Sequence, residues 1–211
     1  MRSFYLIRHG ETDWNRKTKR LQGHTDIPLN DIGRAQAQGL EPLLKNLNIT
    51  RFISSDLSRA FETAHILAGG NQPLEKDARL REVKLGLVEG LSPEAVDLQY
   101  GADFRKNWGS NEEKFRGLKF PDGESRIEVL TRTHSTLHEY LDRYPNDTLA
   151  FVAHGFLIRS LVFENPKVTT DFFVPNCAVA PFGRDAHGGL HYLGPSNPQD
   201  LLQPAQRLDG I

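Results

Sequence analysis

The chain has little of several things, and each shortage excludes a class of protein. It carries one cysteine, Cys177, in 211 residues. An intramolecular disulfide framework is therefore impossible, and a reducing cytosol fits. It has no excess of either charge: 26 Lys and Arg stand against 27 Asp and Glu, a formal net charge of −1. That balance predicts no nucleic-acid partner and no membrane surface. Long hydrophobic runs are missing, and none approaches the roughly 20 residues of a membrane helix. A strand pattern begins almost at Met1, leaving no space for a signal peptide, so a cytoplasmic location is expected. Internal repeats and low-complexity stretches are absent. There is no HExxH, zinc-ribbon or P-loop pattern, so neither a metal nor a cofactor is expected. The length suits one domain, 1–211, with a full core.

What is present is an alternation of strand and helix patterns. It predicts a three-layer α/β/α sandwich with a mostly parallel central sheet. Ser3 to Ile7 reads as the first strand. Asp31 caps a helix from Gly33 toward Leu47, kinked or restarted at Pro42. Arg51 to Ser54 is a second strand. A helix follows from about Leu57, with Ala60, Phe61, Ala64 and Leu67 on one face, ended by Gly69-Gly70. Ser92-Pro93 offers a cap and a first-turn proline. The stretch 99–121 reads as polar and irregular, with exposed aromatics Tyr100, Phe104, Trp108, Phe115 and Phe120: a lid-like insertion. The longest helix spans about Ser125 to Tyr144, its stripe being Ile127, Leu130, His134, Leu137 and Leu141. Thr148 to Ala153 is a buried strand, followed by a helix from Gly155 to Phe163. Cys177 to Phe182 and Leu190 to Leu193 pair across a loop. Pro195 onward reads as an extended tail.

The chemistry-bearing residues sit at strand ends. Arg8-His9-Gly10-Glu11-Thr12 follows the apolar run Phe4 to Ile7, where open α/β sheets place their ligand crevice. Arg59 lies in Ser54-Ser55-Asp56-Leu57-Ser58-Arg59-Ala60, where a strand passes into a helix. Leu80-Arg81-Glu82 precedes Gly86 and Glu89-Gly90. Val152-Ala153-His154-Gly155 ends a later strand. This ordered set, spanning roughly Phe4 to Phe182, resembles the histidine phosphatase superfamily, also called the phosphoglycerate mutase-like family.

The resemblance implies a phosphoryl acceptor at His9, phosphate-binding arginines at Arg8 and Arg59, a proton donor at Glu82 and a hydrogen-bond donor at His154. It also implies that Asn15, Gln22, Gly23 and Gly155 line the phosphate pocket or border it. These residue types suit the reaction. Phosphate monoesters hydrolyse extremely slowly unaided. Neutral histidine is a competent nucleophile. Arginine binds phosphate bidentately and stays charged, and an alkoxide leaving group needs an acid. The expected partner is a small phosphate ester; the sequence sets no oligomeric state.

Rival readings attach to several residues. Glu89 competes with Glu82 as acid, the alternative being that it orders its loop. His24 is either a substrate contact or an exposed loop residue. His134 is expected as a hydrogen-bonded core residue, and His65 and His138 on helix surfaces. His187 and His191 have a metal-ligand spacing, but Gly188-Gly189 between them argues for a hairpin loop. Arg105-Lys106 is solvated or binds substrate. At the level of function, a phosphatase is favoured over a phosphoglycerate mutase. Val83 follows Glu82 where mutases carry arginine, and Pro175-Asn176-Cys177-Ala178-Val179 looks like the phosphatase branch. A phosphate-recognising module without turnover is the third reading, disfavoured because His9, Arg8, Arg59, Glu82 and His154 are all present.

Overall fold

The computed structural model describes residues 1–16, 19–168, 172–195, 197 and 200–204. In chain order its elements are β1 (Arg2–Arg8), α1 (Asp13–Arg16), α2 (Asp31–Leu40), β2 (Arg51–Ser54), α3 (Ser58–Ala68), β3 (Leu74–Lys76), α4 (Pro93–Tyr100), α5 (Ala102–Gly109), α6 (Arg126–Arg143), β4 (Leu149–Ala153), α7 (Gly155–Val162), β5 (Val179–Arg184) and β6 (Leu190–Tyr192). The strands form a six-stranded sheet in the order β3-β2-β4-β1-β5-β6. The first four are mutually parallel, and β5 and β6 add an antiparallel edge.

The four inner strands, β2, β4, β1 and β5, are largely buried on both faces, which their side-chain alternation divides between two cores. Phe4, Leu6, Ile53, Phe151 and Phe182 point to one core, completed by Leu137 and Leu141 of α6 and Leu157 and Leu161 of α7. Ile7, Phe52, Ala150 and Val152 point to the other, completed by Ala37 and Leu40 of α2 and Ala60, Ala64 and Leu67 of α3. The architecture is thus the three-layer α/β/α sandwich.

Local readings were corrected in several places. The cap of α2 is Asn30, whose side chain accepts from the Gly33 amide, and not Asp31. The α-helix stops at Leu40 and continues as a 3-10 helix over Glu41–Leu47 with Pro42 in its first turn. On α6, Ile127 is 52% exposed, and His134 pairs with Glu164 at the surface rather than in the core. The buried face instead includes Thr133 and Thr136. Their hydroxyls donate to the carbonyls of Val129 and Arg132, so two polar residues hide within it. A capping box between Ser125 and Glu128 opens this helix.

The stretch 99–121 is neither irregular throughout nor lined with exposed aromatics. Tyr100, Phe104 and Trp108 recur every four residues along α4 and α5, a helical stripe inside a polar sequence. Their rings meet Phe120, which is 1% exposed, at 5.5, 5.2 and 5.3 Å, and Trp108 stacks on Phe156. The loop carrying His187 joins β5 to β6. Its Asp185 accepts from the His187 and Gly189 amides and from His191. Among the described residues no cluster of His, Cys, Asp or Glu could hold a metal ion, and no helix is long and apolar enough to cross a membrane. The expected tail lies largely outside the described residues, although Leu202 bridges to Val179.

Candidate active site

The sheet register brings the motifs together. In the order β2-β4-β1, Ser54 and Ile7 both pair with Val152, so β1 and β4 end together at Arg8 and Ala153 and β2 ends one position earlier. The next residue of each is Ser55, His154 and His9. The His9 amide donates to Ala153 O at 3.1 Å, and the Ser55 amide to Val152 O at 2.9 Å. His154, at the end of the middle strand, therefore stands between His9 and Ser55. Its ring lies 5.1 Å from that of His9, centroid to centroid. Its Nε2 lies 2.9 Å from Ser55 Oγ.

His9 is buried, and its Nδ1 lies 2.6 Å from Gly10 O. A carbonyl can only accept, so this contact puts the proton on Nδ1 and leaves a lone pair on Nε2. Burial, followed by the positive charges of Arg59 and Arg8, holds the His9 pKa well below 6.5. The ring is accordingly neutral at physiological pH, the form in which an imidazole is nucleophilic. The segment before β5 fixes its backbone: the Asn176 side chain and the Cys177 amide both donate to His9 O.

Both arginines are buried. Arg8 donates to Val174 O and lies against the Phe173 ring, 4.5 Å from its centroid. Arg59 donates to the carbonyls of Gly23 and Thr25. Burial lowers each guanidinium to about 10, offset by the Glu82 carboxylate, so both remain cationic at neutral pH. The Nε of each is buried and has no hydrogen-bond partner within the chain. Such a donor ordinarily costs about 1–3 kcal/mol when left unmet.

Glu82 lies on the loop after β3. Its carboxylate accepts from the amides of Phe156 and Leu157 in the first turn of α7, and from Val83 N. Glu89 does something else: it accepts from His24 N, Thr25 Oγ1 and Leu85 N and orders the loop. Burial would raise its pKa, but those hydrogen bonds outweigh it and hold the carboxylate below 4.5. His24 bonds the Glu82 carbonyl through Nε2, 2.8 Å away.

Asn15 and Gln22 both hang on Thr12, three residues past His9. The Thr12 amide donates to Asn15 Oδ1, and Gln22 Nε2 to Thr12 Oγ1. Asn15 Nδ2 and Gln22 Oε1 are buried without a partner in the chain. With its amide turned over, Gln22 would accept from the Thr12 hydroxyl and free an NH₂ group instead. Gly23 has φ +51°, and a Cβ there would lie 2.3 Å from Glu89 Oε1. A Cβ on Gly155 would lie 3.2 Å from Arg8 Nε, so a side chain at that point would crowd the guanidinium.

Arg105, left open by the sequence, is paired with Asp97. With Lys106 it lines a cavity of about 740 Å³ between α5 and α7 that also touches Leu21, Trp108 and Arg159. None of the five motif residues lines that cavity.

Sequence reasoning missed two contributors. Ser55 lay inside a quoted segment, but nothing in one dimension shows that it meets His154. Arg132 of α6 carries no local sign at all. It donates to the carbonyls of Arg79, Arg81 and Glu82 and to the Glu124 carboxylate, and so clamps the Glu82 loop.

Known proteins resemble this chain in sequence and in fold. A probable phosphoglycerate mutase of Yersinia pestis is 36% identical over 168 residues, covering 77% of this chain and 74% of that one. The mycobacterial glucosyl-3-phosphoglycerate phosphatase in complex with VO3 has a TM-score of 0.79 at 25% identity, over 91% of this chain and 96% of that one. A mutant phosphoserine phosphatase of Entamoeba histolytica in complex with phosphoserine has a TM-score of 0.77 at 27% identity, over 96% of this chain and all (100%) of that one. The description histidine phosphatase superfamily (branch 1) matches residues 4–189. By that match, and with the motifs falling in order at the ends of adjacent strands, the chain belongs to the histidine phosphatase superfamily.

Proposed function

We propose that this chain is a metal-independent phosphomonoesterase that passes the phosphoryl group of a small phosphorylated metabolite through His9. One observation carries the reading. Beside an imidazole whose Nδ1 is committed to Gly10 O, four buried nitrogens have no partner in the chain: Arg8 Nε, Arg59 Nε, His154 Nδ1 and Asn15 Nδ2. Aimed at the oxygens of one phosphoryl group, these nitrogens and the two guanidinium charges would stabilise a transition state whose charge is spread over those oxygens.

In the first step His9 Nε2 attacks phosphorus, the P–O ester bond breaks, and Glu82 gives its proton to the departing oxygen. Glu82 Oε2 accepts one amide and has a lone pair left for that proton. In the second step water attacks phosphorus, the Glu82 carboxylate takes the proton, and the P–N bond breaks to restore His9. The insertion at 99–121 acts as a lid: its Trp108 stacks on Phe156, whose amide holds Glu82. The single buried thiol of Cys177 suits a cytoplasmic setting.

A phosphoglycerate mutase is the second reading, favoured by the name of the Yersinia pestis relative. A mutase returns the phosphoryl group to another oxygen of the substrate; a phosphatase yields it to water. The test is release of inorganic phosphate from an aryl phosphate and from a panel of phosphorylated metabolites, phosphoglycerates included. Release unaffected by EDTA and inhibited competitively by vanadate is expected. Isomerisation of a phosphoglycerate without phosphate release would favour the mutase. Loss of activity in EDTA that zinc or magnesium restores would overturn the metal-independent mechanism.

A further inference from the structure

Ser55 has no part in the steps above, yet its hydroxyl decides what His154 can do. Ser55 and His154 are both fully buried. His154 is held neutral: burial, and then the charges of Arg59, Arg132 and Arg8, put its pKa well below 6.5. A neutral imidazole has one donor and one acceptor, and which nitrogen is which depends on what the other one meets. Here Nε2 meets Ser55 Oγ at 2.9 Å, while Nδ1 is buried without a partner in the chain.

The hydrogen bonds of Ser55 settle the direction. Its Oγ already accepts from the Leu57 amide at 3.3 Å. The hydroxyl has one proton to give, and among the described contacts His154 Nε2 is the acceptor within reach. If Nε2 carried the ring proton, the Ser55 proton and the Nδ1 lone pair would both be buried without partners. That lone pair would also stand next to any anion between the two histidines. If Ser55 donates, the group left over is an N–H on Nδ1, which an anion can accept from.

We propose that Ser55 is a positioning residue: by donating to His154 Nε2 it keeps the imidazole proton on Nδ1, from where it is given to a phosphoryl oxygen. The consequence for phosphoryl transfer rests on the function proposed above; the tautomer does not.

The test reads the tautomer without turnover. Long-range ¹⁵N–¹H correlation spectra of protein labelled at histidine, with His154 assigned through His154→Gln, distinguish a protonated from an unprotonated ring nitrogen. The proton is expected on Nδ1 of His154 in the unaltered protein, with and without vanadate. Ser55→Ala should lose that preference and bind vanadate about tenfold more weakly by calorimetry, as expected for a weakened oxyanion donor. Ser55→Cys, which keeps the volume and a weak donor, should fall between the two. A protonated Nε2 in the unaltered protein would overturn the proposal. So would undiminished vanadate affinity in a folded Ser55→Ala protein. Failure of the phosphatase reading would look different: tight vanadate binding and the Nδ1 tautomer, but no phosphate release.

Discussion

Replacement of His9 by alanine is expected to lower kcat by roughly 10³-fold or more, because the covalent route is lost and only the positioned charges remain. The fold should persist. The contacts of His9 with Ala153, Asn176 and Cys177 use its backbone and not its ring. Phosphate binding should therefore survive better than turnover, since Arg8, Arg59 and His154 stay in place. The check is steady-state kinetics beside circular dichroism and a phosphate-binding isotherm. Near-normal turnover in a His9→Ala protein with an unchanged spectrum would mean that another group accepts the phosphoryl group.

The second large effect concerns Glu82, and it depends on the leaving group. An alkoxide needs a proton as it departs; a nitrophenolate, whose conjugate acid has a pKa of about 7, scarcely does. Glu82→Gln is expected to slow phosphoryl transfer from alkyl phosphates by about 10²-fold more than transfer from nitrophenyl phosphate. Single-turnover measurements are needed, since slow dephosphorylation of His9 would level the two substrates. Glutamine keeps an oxygen for the Leu157 and Val83 amides, which share Oε1, while the Phe156 amide, bonded to Oε2, loses its acceptor. Glu89→Gln separates the two carboxylates. Its bonds to His24, Thr25 and Leu85 predict a looser loop and losses indifferent to the leaving group. Equal losses for both substrates in Glu82→Gln, with a leaving-group-dependent loss in Glu89→Gln, would move the acid role to Glu89.

The layered fold was legible because its strands are short apolar runs bounded by turn residues, and the buried faces of α2 and α3 keep a clean helical period. The candidate site was legible through the ordered motifs that resemble the family, three of which, those of His9, Arg59 and His154, follow strands that could be read. Where the reading failed, a local rule met a tertiary one. Asp31 and Asn30 are equally good caps by type, and only the geometry of the turn selects Asn30. On α6, Leu130, Leu137 and Leu141 are buried as read, but Ile127 and His134 are not, and Thr133 and Thr136, which satisfy their own hydroxyls, take buried places the pattern did not show. The aromatics of 99–121 looked exposed because they cover one another: Tyr100, Phe104 and Trp108 close on Phe120 of the same stretch, and Trp108 on the distant Phe156. Ser55 and Arg132 could not be found from the sequence, since each acts through a contact between elements far apart in the chain.

The central claim is that the phosphoryl group becomes bonded to His9, and the most direct test is to catch it there. The protein is mixed with a ³²P-labelled phosphate ester, quenched in alkali within one turnover, digested and mapped. The account predicts label on the peptide containing His9, stable in alkali, lost in acid and absent from the His9→Ala protein. Phosphate release with no covalent label at any time within the turnover, or label on a different residue, would contradict it.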